Sequence, residues 1–256
     1  PIGLYSKALV TDKTSAKTGM GKKAHMALKT TTSYMGCESF PLGLSLESQL
    51  PTGKGMAAST ADIVAVIQAV ATAIDEELEP EEIAEIAAGI EPTDGIFYPG
   101  IVQMNYMTGE LIKSYGNAPK MIIAMFDMGG SINTVEFHSE YHGHEDSPKE
   151  LLEAIDQLDV DFSPRQIAHV ATLSALANQK LVPKPHLEEI IKYSATLGAL
   201  GVNVAHSGTM VGVLFAPDES MKHVMEAVEK IREKFPELEY FETERLISGG
   251  YDIEQR

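Results

Sequence analysis

Hydrophobic and polar positions change their period several times along the chain, and each change predicts an element. Up to about Leu50 the apolar residues come in short runs with β-formers, as in residues 29–34 and in residues 42–48, where Leu42, Leu44 and Leu46 alternate with smaller or polar neighbours. These stretches predict strands separated by turns. Residues 17–23 are rich in Gly and Lys and read as a turn that leads into a helix near residues 24–28. From Met56 to Ile74, alanine and β-branched residues place apolar side chains nearly all round. A helix so patterned is buried, and the run is too long for a strand.

A helix is predicted over residues 80–90, opened by Pro80 and with Glu81, Glu82 and Glu85 near its start, where the helix dipole favours acid. Residues 121–126 form a continuous apolar run of strand length. Three helical patterns follow over residues 148–158, 164–179 and 185–197, the last two opened by Pro. Residues 210–215 read as a second buried strand, 219–235 as a helix and 240–246 as a final strand. Repeats, low-complexity linkers and heptads are missing from the pattern. A Gly-, Asn- and Pro-containing turn near residues 115–119 is the best candidate boundary.

The 256 residues are 44% hydrophobic and 22% charged, an ordinary globular composition with enough apolar surface for one large or two modest domains. Twenty Lys and Arg against 37 Asp and Glu leave a net charge of −17, which repels polyanions and argues against nucleic-acid binding. The single cysteine, Cys37, forms no internal disulfide or thiolate metal site and fits a reducing, cytoplasmic setting. The most apolar stretch, residues 61–74, is interrupted by Asp62, Gln68 and Thr72 and falls short of the roughly 20 apolar residues of a membrane span. Pro1-Ile2-Gly3-Leu4 lacks both an initiator Met and the basic and apolar regions of a signal peptide.

The segment with the most chemical content is Leu50-Pro51-Thr52-Gly53-Lys54-Gly55-Met56-Ala57-Ala58-Ser59-Thr60-Ala61-Asp62, a glycine-rich turn between an alternating strand and the buried helix. Glycine lets backbone N–H groups approach an anion closely, and a helix start adds unpaired donors and partial positive charge. Lys54 supplies a cation, and the Ser59 and Thr60 hydroxyls are suited to ligate Mg²⁺ beside phosphates. The Walker pattern is not met, because Gly53-Lys54 is followed by Gly55 and residue 48 is not glycine. An ordinary strand-to-helix turn, with Ser59 and Thr60 solvating the backbone, fits the same residues.

The pattern Pro-x-x-x-Gly-Met-Ala-x-Ser-Thr-Ala-Asp over Pro51 to Asp62 resembles the phosphate loop of the GHMP kinases, the family of galactokinase, homoserine kinase and mevalonate kinase. Downstream, Glu91-Pro92-Thr93-Asp94, Ala171-Thr172-Leu173-Ser174-Ala175, Pro183-Lys184-Pro185 and Gly201-Val202-Asn203-Val204-Ala205-His206-Ser207-Gly208 resemble, in order, the L-threonine kinase branch associated with cobalamin synthesis and propanediol utilisation. Two departures stand out. Ala58 replaces the first of two common serines, while Ser59 falls on the second, and the Cys-Pro-Ala-x-Cys-Gly-Glu segment that opens this branch has no counterpart here.

The resemblance implies an α+β, two-domain GHMP kinase fold, with an N-terminal ATP-binding half over residues 1–117, a ferredoxin-like C-terminal half over 118–256, and the site between them. It implies ATP and Mg²⁺ as cofactors and L-threonine as the small-molecule acceptor, in a monomer or homodimer. Pro51, Gly53, Lys54, Gly55, Met56, Ala57, Ala58, Ser59 and Thr60 would bind the phosphates. Ser59 and Glu91 would hold the metal, and Asp94 would orient or deprotonate the acceptor hydroxyl. The sequence also admits the reverse assignment of the two acids, and Pro92 to Gly95 is also ordinary turn chemistry. Asn203, His206, Ser207 and Gly208 would lie near the substrates, although a tight turn capped by His206 has the same sequence. Alternative acceptors are homoserine, serine or another small alcohol; a nucleotide- or metabolite-binding protein without catalysis is the other reading. His138, His142 and His144 fall within seven residues, but Gly143 and Ser147-Pro148 mark a loop, and the run reads as a solvated acidic segment rather than a metal site.

Overall fold

The computed structural model of the chain describes residues 1–130 and 147–254. The N-terminal half contains β1 (Ser6–Thr11), β2 (Lys17–Thr18), α1 (Lys22–Tyr34), β3 (Gly43–Ser48), α2 (Ala58–Ala73), α3 (Pro80–Ala88), β4 (Ile101–Met104) and β5 (Leu111–Gly116). Strand β3 is central, antiparallel to β1 from Ser6↔Ser48 to Thr11↔Gly43 and parallel to β2. The leucine alternation is realised there, with Leu44 and Leu46 buried in the cluster that also takes α1 and α2. Helix α2 is buried on most of its circumference, and Ile63, Val66, Ile67, Val70 and Ala71 have no exposed surface. At about 1.5–3 kcal/mol for each large aliphatic side chain removed from water, α2 is the principal anchor of this half.

Residues 29–34, expected as a strand, complete α1 instead. Ala24, Ala27 and Thr31 recur at helical spacing on its buried side, and Thr32 Oγ1 donates to the Leu28 carbonyl one turn back at 2.6 Å. Packing against α2 thus overrides the strand preference of three threonines. Helix α3 begins where expected, with Pro80 in its first turn and a reciprocal capping box between Glu79 and Glu82. The β4–β5 hairpin has no counterpart among the expected elements.

The C-terminal half contains β6 (Ile122–Asp127), α4 (Lys149–Asp156) with a 3₁₀ turn (Gln157–Asp159), α5 (Pro164–Asn178), α6 (Leu187–Thr196), β7 (Gly201–Val204), β8 (Met210–Phe215), α7 (Met221–Lys234) and β9 (Glu239–Arg245). Its sheet runs β7-β8-β6-β9, antiparallel throughout. The second, third, first and fourth strands thus lie side by side, the split arrangement of ferredoxin-like folds. Helix α6 starts at Leu187 rather than at Pro185, because His186, in the left-handed region, is its N-cap.

The continuous apolar run of β6 is explained by burial on both faces. Ile122, Ala124 and Phe126 join a core with α6 and α7, whereas Met121, Ile123 and Met125 face a second cluster with Ala168 of α5. Met56, from the loop ahead of α2, and Ala205 pack onto that second cluster. It therefore welds the halves together beside the glycine-rich loop. Beyond β9 the chain returns: Gly250 N donates to Ile96 O at 2.9 Å and Gly100 N to Ser248 O at 2.5 Å. Among the described residues, no helix is long and apolar enough to cross a membrane.

Candidate active site

The loop between β3 and α2 turns through three left-handed residues: Gly53 at φ +75°, Gly55 at +77° and Ala57 at +56°. Ala57 is the N-cap of α2, has no side-chain cap, and pays about 1–2 kcal/mol for its backbone state. The first helical bond runs from Ala61 N to Ala57 O at 2.9 Å, so the amides of Ala58, Ser59 and Thr60 lie ahead of the helical ladder. These donors, with the helix dipole behind them, make an anion cradle of this turn.

Gly55 also makes a close approach to the other half of the chain. An ideal Cβ there would lie 2.5 Å from Ala205 Cβ and 2.8 Å from Gly208 Cα, so the space is filled by the β7–β8 loop. A Cβ on Gly208 would in turn lie 2.1 Å from Lys54 O. That carbonyl accepts from Thr209 N at 3.1 Å and Met210 N at 3.3 Å, and the two loops meet backbone to backbone.

Lys54 is also engaged across this seam. Its ammonium lies 2.5 Å from Asp127 Oδ2, at the end of β6, and donates to Gly130 O at 2.8 Å. Asp127 further accepts from Thr209 Oγ1 at 2.6 Å and from Gly129 N at 3.0 Å. Burial alone would raise the Asp127 pKa, but these hydrogen bonds and the Lys54 charge outweigh it and hold the carboxyl below its ordinary value.

The acids expected from the sequence meet the first turn of α2. Ser59 Oγ donates to Glu91 Oε1, while Lys23 Nζ, from the first turn of α1, pairs with Glu91 Oε2. Thr60, 2% exposed, receives Asp94 N on its Oγ1 at 3.3 Å and lies 3.5 Å from the Thr93 hydroxyl, its donor. Thr93 N is held by Tyr106 O at 2.8 Å. The 91–94 turn is thereby tied to the helix start at both of its acids, and Asp94 is left on the exposed side.

Glu91 and Ser59 offer one carboxylate and one hydroxyl, hard oxygens suited to a Mg²⁺ ion that takes its remaining ligands from phosphates and water. Among the described residues, no group of three or more His, Cys, Asp or Glu side chains forms a metal cage of its own. The residues present thus fit a metal that arrives with a nucleotide. The histidine run at 138, 142 and 144 lies outside the described residues.

The third segment stands against this turn. Asn203 lies on β7, and Ala205 N donates to Met210 O at 2.9 Å to close the loop that carries His206, Ser207 and Gly208. His206 Nε2 is 3.0 Å from Ser174 Oγ of α5, and its carbonyl accepts from Asn178 Nδ2 at 3.2 Å. Asn203 Oδ1 is buried without a hydrogen-bond partner among the described residues, over Gly212, where a Cβ would approach it to 2.2 Å. Lys23, Asp127 and Asn178 are not singled out by the sequence. Asp127 carried one usable signal, since it ends a buried apolar run one residue ahead of Gly129-Gly130.

Residues 22–97 match the family model described as the GHMP kinases N terminal domain, and residues 149–234 match that described as GHMP kinases C terminal. The chain is 24% identical over 222 residues to an L-threonine kinase of Citrobacter freundii, a match covering 82% of this chain and 75% of that protein. It is 26% identical over 176 residues to an L-threonine kinase of Salmonella typhimurium, covering 67% of this chain and 59% of that one. The solved mevalonate kinase of Methanococcus jannaschii superposes with a TM-score of 0.69 at 17% identity, over 94% of this chain and 88% of its own. The homoserine kinase of Cytophaga hutchinsonii gives 0.63 at 15%, over 95% and 86%. At such identities the structural neighbours speak for the fold alone, and the two-domain α+β architecture expected from the sequence is the one found.

Proposed function

We propose, from the premise that the chain belongs to the GHMP kinase family, that it transfers the γ-phosphoryl group of ATP to the side-chain hydroxyl of L-threonine, giving O-phospho-L-threonine and ADP. The observation that carries this reading is the convergence of Ser59, Thr60, Glu91 and Asp94 at the start of α2. Backbone donors of residues 53–60 bind the triphosphate, and Lys54 adds a cation at the rim. Ser59 and Glu91 would hold Mg²⁺, which when bound would neutralise phosphate charge.

Asp94, fixed through its backbone by Thr60, accepts the acceptor hydroxyl proton. The hydroxyl oxygen then bonds to the γ-phosphorus as the bond to the bridging oxygen breaks and ADP departs. Asn203, His206, Ser207 and Gly208 line the acceptor side. Residues 1–117 form the ATP-binding half of a cytoplasmic enzyme and 118–256 its partner half. The product would feed the aminopropanol linker of cobalamin, the role implied by the resemblance to that kinase branch.

The test is ADP release measured across L-threonine, L-serine, L-homoserine and mevalonate. Highest kcat/KM with L-threonine is expected. A clear preference for another alcohol overturns the acceptor, and nucleotide binding without acceptor-dependent ADP release overturns catalysis.

A further inference from the structure

Lys23 has no part in the phosphoryl transfer described above, yet it occupies the carboxylate that would hold the metal. Its ammonium is paired with Glu91 Oε2 while Ser59 Oγ donates to Oε1, so both carboxylate oxygens are engaged. The Glu91 side chain is 11% exposed and that of Lys23 34%, which leaves the acid shielded and the lysine able to leave along its flexible stem. Without this cation Glu91 would be a largely buried anion with only a hydroxyl donor, an expensive arrangement. With it, a bare divalent cation approaching Glu91 meets a like charge in a partly desolvated place, where charges act strongly.

We infer that Lys23 is a resident counter-ion of Glu91 that keeps divalent metal off the nucleotide-free protein and yields the carboxylate only to a metal already neutralised by a triphosphate. The inference rests on the kinase reading for the identity of the triphosphate. When Glu91 serves as a metal ligand, Lys23 would be released from it, and a triphosphate's negative charge would compensate the freed ammonium. Lys23 is in this sense a positioning residue, acting through Glu91. Such a device suits a chain with 37 acidic residues, whose field gathers divalent cations whether or not nucleotide is present.

The experiment is a titration of Mn²⁺ into the full chain without nucleotide, free Mn²⁺ being read by electron paramagnetic resonance. Lys23→Gln and Lys23→Met should bind at least tenfold more tightly than the wild type, about 1.4 kcal/mol. The gain should vanish when Glu91→Gln is added, and Lys23→Arg, which keeps charge and pairing, should stay as weak as the wild type. Equal Mn²⁺ affinity in wild type and the neutral variants overturns the inference, as does a gain that survives Glu91→Gln or appears in Lys23→Arg. A merely structural ion pair would lower the melting temperature of the neutral variants without moving metal affinity. Because the titration needs neither acceptor nor turnover, it answers even for a protein that phosphorylates nothing.

Discussion

Replacing Gly55 by alanine tests whether this glycine serves the seam between the halves or the nucleotide. The substitution adds one Cβ at a residue with φ +77°, 2.5 Å from Ala205 Cβ and 2.8 Å from Gly208 Cα. The left-handed backbone costs an alanine about 1–2 kcal/mol, and overpacking against a backbone that cannot swing aside costs about 1–3 more. Neither loop gives way easily, since Lys54 O is held by two amides and Met56 is seated in the second sheet cluster. The sum, about 2–5 kcal/mol, lowers the melting temperature by roughly 4–20 °C at about 2–4 °C per kcal/mol for a chain of this size.

Two companions separate the contributions. Gly116→Ala, at φ +98° with nothing within 4 Å of its Cβ, carries the backbone cost alone, about 1–2 kcal/mol. Gly208→Ala places its Cβ 2.1 Å from Lys54 O without a left-handed backbone and carries the clash alone. Urea and thermal unfolding of the three variants, with calorimetric ATP titrations beside them, give the ranking. If Gly55→Ala melts no lower than Gly116→Ala and loses only nucleotide affinity, the seam assignment is refuted and the phosphate contact stands.

Asp94→Asn keeps turn propensity and removes the proton acceptor, so kcat should fall by about 10²–10⁴ with ATP affinity unchanged in steady-state kinetics and calorimetry; wild-type turnover would leave residues 92–95 an ordinary turn. Asp127 has its pKa held below its ordinary 3.8, so the stability it contributes is present above that value and is lost as pH falls through the lower folded-state value. Asp127→Asn should therefore melt lower than wild type at pH 7 and show a flatter melting profile below about pH 4. Lys184 is 3% exposed, and burial lowers its ammonium from 10.5 to about 8. The unfolded chain holds that proton between these values, so Lys184→Met should gain most over wild type below pH 8, and the gain should shrink as pH rises towards 10.5.

Elements whose pattern reports burial directly were legible in the sequence. The all-round apolar run over residues 56–74 became α2, and the run over 121–126 became β6, because a segment covered on every side must be apolar on every side. Residues 29–34 misled because strand propensity is local, whereas Thr31 is placed by the helix packed against it. The β4–β5 hairpin gave no signal: its strands are short, their register shifts twice, and Lys113 and Tyr115 break any apolar rhythm. Helix starts were readable where Pro opens the first turn, as at Pro80 and Pro164, and not at Leu187, where His186 in the left-handed region is the N-cap.

The site divides along the same physical line. Ser59 and Thr60 were candidates from their place in the glycine-rich turn, Glu91 and Asp94 from the resemblance alone, and the structure brings the four residues together at the start of α2. What each residue touches was not. Glycine at position 55 reports that something comes close without saying what, and one such neighbour is a loop in the other half. Lys54 looked like a free cation, and its charge is divided between Asp127 and the Gly130 carbonyl. Lys23 stands 68 positions from Glu91 in a segment that reads as a turn, and nothing in its neighbours announces the pairing. The two lysine contacts share a consequence for binding. Lys23 and Lys54 beside this turn are each already matched to a carboxylate, so on the proposed function a triphosphate binding there would exchange partners rather than fill unmet charge. The net gain per contact would then be smaller than for an unpaired lysine, and the backbone donors at the start of α2 would set most of the affinity.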